Sequence, residues 1–414
     1  MESPRTLKRF RAGTHRLAAP EETLERASRL MPVLGITRIA KVTGLDSLGI
    51  PVVMVTRPNA RSLSVAQGKG LTLAAAKASG LMEAIESYHA EHITLPLKLA
   101  TYHQLCFTHR LADLAALPRY TSSAFHPDLR TLWIEGRSLA DGGSRWLPYE
   151  LVHTDFTLPF PPGSGSFVMS SSGLASGNHL AEAISHGLCE LIERDAATLW
   201  WFRGREEKLA TRVDLDTVDD PACREVLGKY RSAGVAVSVW DITSDVGVAA
   251  FRCVIAAREP ELQRRIGPMA GFGCHPAREI ALLRALTEAA QSRLTLISGA
   301  RDDMLSQRLD TQTYLGRLRQ FHEHWEEPGQ RRPFGAVPTY ESDTLEGDVA
   351  WTLERLRAAS LPDAVVVDLS KPELGTAVVR VVVPGLECLH DLPGYAPGAR
   401  ARAVLSSRQE EVRA

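Results

Sequence analysis

Apolar residues along this chain fall into two kinds of run. Three long segments carry them at helical spacing: residues 71 to about 92, about 179 to 202, and about 277 to 298. Short dense runs at 36–42, 52–56, 235–240, 246–256, 364–369 and 377–383 are strand-length and rich in valine and isoleucine. Pro20-Glu21-Glu22 suits a helix start, where anionic side chains oppose the dipole. Residues 64–70 and 158–178 read as Ser-, Gly- and Pro-rich loops. Residues 100–150 read as loops, short strands and a helix, and 301–348 as charged and weakly patterned. The mixture predicts an α/β protein. Residues 1–60 form a basic N-terminal segment with the first strands, 61–390 the core, and 391–414 a flexible polar tail that frays.

An internal repeat organises the core. At an offset of 107 residues, Ser64 falls on Ser171, Gly70 on Gly177, Gly80-Leu81 on Gly187-Leu188, and Glu83 and Glu86 on Glu190 and Glu193. A weaker third copy near 275–298 puts Leu286 and Glu288 at the Leu and first Glu positions, and Gln291 at the second Glu. The copies lie near 64–90, 171–197 and 275–298 and predict three related helix–sheet units.

The repeated glutamates are the candidate chemistry. Ser79, Glu83 and Glu86 share one helix face, and Glu182, Glu190 and Glu193 lie near one stripe of the second helix, with Asn178 just ahead of it. Their neighbours are mostly Ala, Gly, Leu, Ile, Met and Cys, so these helices are expected to be buried. Buried carboxylates are costly unless paired or metal-bound, and an oxygen-only set favours Mg²⁺. Gln67-Gly68-Lys69-Gly70 is expected to approach phosphate ahead of a helix N-terminus, without Walker A spacing. Arg194, Arg293 and the later Arg301-Asp302-Asp303 add charge beside the carboxylates. His89, His186 and His275 lie beside these segments, but no general base can be singled out. Cys189 reads as a small buried hydrophobe.

Charge and composition exclude several classes. Lys+Arg 48 against Asp+Glu 49 leaves a net charge of −1, which argues against nucleic acid as the main partner. No apolar run approaches the ~20 residues of a membrane helix. Six scattered cysteines without a CxxC read as reduced, which suits the cytoplasm.

Ser79-x-x-x-Glu83-x-x-Glu86, Asn178-x-x-x-Glu182, Glu190-x-x-Glu193-Arg194 and Gln291-x-Arg293 resemble the ATP- and magnesium-binding motifs of the YcaO family. Gly68-Lys69-Gly70 and the N-terminal Lys8 with Gly13-Thr14-His15-Arg16 are similar to further parts of it. The resemblance spans roughly residues 5–390. It implies a YcaO-type fold of mixed sheets and helices around a nucleotide site, and a non-Walker ATPase that activates peptide backbone amides. A nucleophile adds to the amide carbon, ATP phosphorylates the oxyanion and phosphate leaves. A side-chain nucleophile gives an azoline; external sulfide gives a thioamide. By the same resemblance Glu83, Glu86, Glu182, Glu190 and Glu193 hold metal, and Lys8, Lys69, Ser79, Asn178, Arg194, Gln291 and Arg293 contact nucleotide or support ligands. Azoline-forming members often end in a Pro-x-Pro-x-Pro tail, which this sequence lacks. Val42-Thr43-Gly44-Leu45-Asp46 and Gly49-Ile50-Pro51 resemble members that work with a TfuA-type partner and form thioamides. The expectation is therefore thioamide formation on a peptide or protein substrate, with a TfuA-type partner and a homodimer. The alternatives are an azoline-forming cyclodehydratase and a non-catalytic ATP-binding accessory subunit.

Overall fold

A computed structural model describes residues 5–300, 310–326 and 329–413 of the chain. Helix α1 (Pro20–Ser28) leads to an antiparallel sheet of β1 (Arg38–Lys41), β2 (Val52–Thr56) and β3 (Val65–Lys69), and then to α2 (Leu73–Glu91). Next come β4 (Leu97–Ala100), α3 (Tyr102–Leu105), β5 (Thr131–Ser138), β6 (Ser144–Pro148), β7 (Leu174–Gly177), α4 (Leu180–Phe202) and α5 (Arg205–Ala210). β8 (Val213–Asp214), α6 (Pro221–Ser232), the antiparallel β9 (Val235–Asp241), β10 (Ala250–Ala257) and β11 (Met269–Cys274), and α7 (Arg278–Ser298) follow. Last are α8 (Thr311–Glu326), β12 (Arg332–Pro333), α9 (Leu345–Ala358), β13 (Val365–Asp368), β14 (Ala377–Val382) and α10 (Ala399–Arg413). Strands β4, β5, β13, β14 and β7 form one antiparallel sheet in that order, with β6 paired to β5. β8 and β12 pair in parallel.

Three strand–helix units, β3–α2, β7–α4 and β11–α7, close into a ring. Each helix packs on its own strand and also reaches the next unit: α2 touches β7, α4 touches β11, and α7 touches β3. Small residues permit the approach. A Cβ on Gly68 would lie 2.0 Å from the Ala76 carbonyl oxygen and 2.3 Å from the Gly80 nitrogen. One on Gly273 would lie 2.1 Å from the Ala281 carbonyl oxygen. Strand and helix therefore touch backbone to backbone, which any side chain would prevent.

That packing corrects the loop reading of residues 64–70. The segment is largely strand β3, and the open side of Gly68 is spent on α2 rather than on an approaching phosphate. Residues 158–178 likewise end in a strand, β7. The weakly patterned region contains a helix, α8, whose Tyr314, Leu318 and Phe321 form a buried stripe at i, i+4 and i+7. Arg301-Asp302-Asp303 lies outside the described residues.

The C-terminal segment is also corrected: residues 399–413 are helical rather than frayed. Arg400 reaches back to α4, where its Nε and Nη2 each donate to Asp195 at 2.9 Å, and it also pairs with Asp245. The Gly398 and Ala401 amides donate to Glu387 at 2.9 Å each. A polar segment is thus anchored by a buried carboxylate that lies 205 residues away in sequence.

Candidate active site

The ring encloses a cavity of about 1280 Å³. Each helix offers the same position to it: Glu83 from α2, Glu190 from α4 and Glu288 from α7. Each is held from its own unit's strand side. The Gln67 amide bonds Glu83, the Gly173 amide donates to Glu190 Oε2 at 3.2 Å, and the Phe272 amide donates to Glu288 Oε1 at 3.1 Å. One turn further on stand Glu86, Glu193 and Gln291. Helical period therefore points six side chains from three helices into one space.

Bonds between the units lock this arrangement. Lys69 at the end of β3 donates to Glu288 Oε2 at 2.8 Å. Ser176 of β7 donates to Glu86 Oε1 from its amide at 2.8 Å and its hydroxyl at 2.7 Å. Within α4, Arg194 donates to Glu190 at 3.2 Å and lies 3.8 Å from Glu193. Glu182, in the first turn of α4, accepts from the Leu17 amide at 2.8 Å and from the Asn178 side chain at 3.2 Å, so it ties the N-terminal segment over the cavity.

The electrostatics suit a divalent-metal site. Burial pushes Glu83 up to about 7, Glu86 up to about 8 and Glu193 up to about 7. Glu83 is exposed to the cavity space, and the protein around that cavity desolvates it. Glu288 moves the other way: burial opposes its charge, but Lys69 and Arg194 outweigh burial and hold it below the usual range. Glu193 Oε2 is buried with no hydrogen-bond partner. Fully ionised, Glu83, Glu86, Glu182, Glu190, Glu193 and Glu288 would outnumber Lys69, Arg194, Arg284 and Arg16 by two, an excess that protonation of the raised carboxyls relieves and that a triphosphate would enlarge. Hard divalent cations with oxygen ligands resolve both the excess and the orphaned oxygen, so the donor set fits Mg²⁺.

Of the site residues expected from sequence, Lys69, Ser79, Glu83, Glu86, Asn178, Glu182, Glu190, Glu193, Arg194 and Gln291 all line this cavity. Two do not. Arg293 points out of the ring, where its Nε donates to Asp46 at 2.8 Å and its Nη2 to Glu261 at 2.9 Å. It lies two residues after Gln291, and adjacent odd positions on a helix face apart. Lys8 sits behind the cavity lining. Its ammonium lies 2.7 Å from Asp348 and 3.3 Å from His15 Nδ1. His15, His275 and Asp348 cluster with ligand atoms within 4.8 Å of one another, and Lys8 supplies the cation there.

Sequence reasoning passed over Glu288 and Arg284 as site residues. The signal for Glu288 was present, since it occupies the first Glu position of the third repeat copy. Arg284 lines the cavity one turn before Glu288, and its Nε is buried without a partner. His186 also lines the cavity, and burial keeps its imidazole neutral.

Fold and site together define an ATP- and Mg²⁺-binding α/β enzyme. The profile of the family described as YcaO cyclodehydratase, ATP- and Mg²⁺-binding, matches residues 67–387. The chain belongs to the YcaO family. A Rhizobium leguminosarum bv. trifolii protein named "Uncharacterized protein in tfuA 3'region" is 37% identical over 421 residues, covering 98% of this chain and 97% of its own. A Methanothermobacter thermautotrophicus protein is 36% identical over 377 residues, covering 89% and 94%. Among solved structures, YcaO from Methanopyrus kandleri bound with AMPPCP and Mg²⁺ superposes with a TM-score of 0.71 at 25% identity, covering 92% of this chain and 95% of that one. A heterocyclase in complex with substrate and cofactor gives 0.76 at 25% identity; 94% of this chain aligns, spanning about half (54%) of that longer protein. Among the described residues no helix is long and apolar enough to cross a membrane.

Proposed function

We propose that this chain is the catalytic subunit of an ATP- and Mg²⁺-dependent peptide amide-activating system, and that its product is a thioamide. The observation that carries the catalytic reading is the convergence of six glutamates with Lys69, Arg194 and Arg284 in one cavity. A decayed accessory subunit would have no reason to keep that costly set intact. Glu83, Glu86, Glu190, Glu193 and Glu288 would hold magnesium. Glu182 would hold metal or, as its hydrogen bonds favour, position the N-terminal segment. Arg16, Lys69, Arg194 and Arg284 would face phosphate oxygens, and Ser79, Asn178 and Gln291 would contact the nucleotide. Bound Mg–ATP supplies the phosphoryl group that makes an amide oxygen a leaving group. The protein's part is to neutralise charge, exclude bulk water and orient the amide.

Two observations support the thioamide branch. The Rhizobium relative takes its name from a tfuA region, and the segment through Asp46 resembles TfuA-associated members. A TfuA-type protein is the proposed partner, with a homodimer as the working assembly. The pseudo-repeat at 64–90, 171–197 and 275–298 is supported by the ring of strand–helix units. The test is mass spectrometry of a precursor peptide incubated with the protein, Mg–ATP, sulfide and the TfuA-type partner, omitting each in turn. A sulfide-dependent exchange of oxygen for sulfur is the expected result. Loss of one water per site without sulfide would assign the azoline reaction instead.

A further inference from the structure

The cavity has two chemically different ends. It runs along α2 from Thr72, Ala75 and Ser79 past Glu83 to Glu86 and Ser87, roughly 20 Å at helical rise. The cations that line it, Arg16, Lys69, Arg194 and Arg284, belong to its N-terminal end and its carboxylate middle. The other end, beside the last turn of α2, is neutral. Two loops close on it. The Ser62 amide donates to Glu91 at 3.2 Å, and the Thr154 amide donates to the Ala90 carbonyl at 3.1 Å. The Phe156 amide donates to the Arg61 carbonyl at 3.0 Å and joins the loops to each other.

Two apolar side chains at this end are left uncovered. Leu63 is 49% exposed and Phe156 45% exposed, and both line the mouth. Apolar side chains at a cavity mouth are unfavourable until something covers them. A triphosphate would be a poor occupant, because no cation among the described residues lines this end, and Arg61 in the adjoining loop is already paired with Asp155 at 2.9 Å.

Building on the amide-activation reading, we propose that this end takes an extended, uncharged stretch of peptide. Leu63 and Phe156 clamp an apolar side chain that flanks the amide to be modified. The occupant is a peptide because the pocket continues directly into the carboxylate centre, where the target amide must arrive, and because the uncharged, apolar mouth matches a side chain beside that amide. The enzyme would then select its target by an apolar neighbour rather than by charge.

The test selects phage-displayed random dodecapeptides on the full-length protein loaded with Mg²⁺ and a non-hydrolysable ATP analogue. Affinities of the enriched peptides are then read by fluorescence anisotropy. The expected result is enrichment of an apolar residue at a fixed place, with Phe156→Ser or Leu63→Ser weakening binding about tenfold. Phe156→Leu should restore most of the affinity. Nucleotide binding is measured in the same samples. Peptides without apolar preference, affinities indifferent to these variants, or no enriched peptide while Mg–nucleotide binds would each overturn the proposal and leave the nucleotide site standing. Failure of Mg–nucleotide binding itself would overturn the reading beneath it.

Discussion

Magnesium affinity should climb steeply as pH rises through neutrality. In the metal-free protein, burial holds Glu86 near 8 and Glu193 near 7, against an ordinary value of 4.5. A carboxyl that binds metal must first lose its proton. From about pH 6.5 to about pH 7.5, Glu193 contributes about a threefold gain and Glu86 about eightfold. If both are ligands, the product is roughly 25-fold. Ordinary carboxylates contribute almost nothing across that range. Titration calorimetry of MgCl₂ in two buffers of different ionisation enthalpy measures both the affinity and the protons released. Glu193→Gln should remove about half a proton from that count at pH 7. An affinity that changes less than about threefold, with no proton release, would refute the reasoning, because the carboxylates would already be ionised. The same shifts set a stability slope. A raised folded value means the folded protein holds protons that the unfolded chain gives up, so this contribution is full below about pH 4.5 and is lost as pH rises to about 8. Below about pH 6.5 the histidines that burial keeps neutral, His15, His153, His186 and His275, act in the opposite direction, so the melting temperature of the metal-free protein should fall from about pH 6.5 to about pH 8, and saturating Mg²⁺ should flatten the fall.

Glu288→Gln should lower ATP turnover at least about 100-fold while the protein stays folded, measured by phosphate release beside circular dichroism. Gly68→Ala should destabilise by about 1–3 kcal/mol or more, because its Cβ would sit 2.0 Å from a helix carbonyl. Calorimetry reads that loss, and a stable variant with weak nucleotide binding would instead favour a phosphate role for the glycine. Arg293→Ala should cost about 3 kcal/mol, the low end for a broken buried pair, because buried Asp46 keeps the half-exposed Arg264 at 3.5 Å. The surviving folded protein should bind Mg–nucleotide as before, and a selective loss of that binding would return Arg293 to the site. Arg400→Ala should free α10, seen as faster proteolysis after residue 398, because Asp195 and Asp245 lose their shared cation.

Helical period and local spacing made most of the site readable. The stripe Ser79–Glu83–Glu86 and its counterpart on α4 could be placed on one face without coordinates, and both faces turn to the cavity. Tertiary pairing was not readable. Arg293 resembles a ligand-support residue by spacing, yet its partners Asp46 and Glu261 lie 247 and 32 residues away. Lys8 is likewise taken by Asp348, 340 residues on. Gly68 was misread because a glycine that admits a phosphate and one that admits a helix look alike in sequence. Glu288 was visible as a repeat position but not weighted as a ligand, since Gln291 replaces the second glutamate of its copy. α10 was obscured by composition: its anchor is one arginine on a buried aspartate, and no apolar period marks it.

The central claim is that the glutamate ring directs ATP's phosphoryl group onto a peptide amide oxygen. The most direct test prepares a peptide that the enzyme modifies, with heavy oxygen at the target carbonyl, and examines the phosphate released during turnover by mass spectrometry. Phosphate that carries the heavy oxygen in step with peptide modification is the expected result. Unlabelled phosphate, with the peptide modified all the same, would contradict amide phosphorylation.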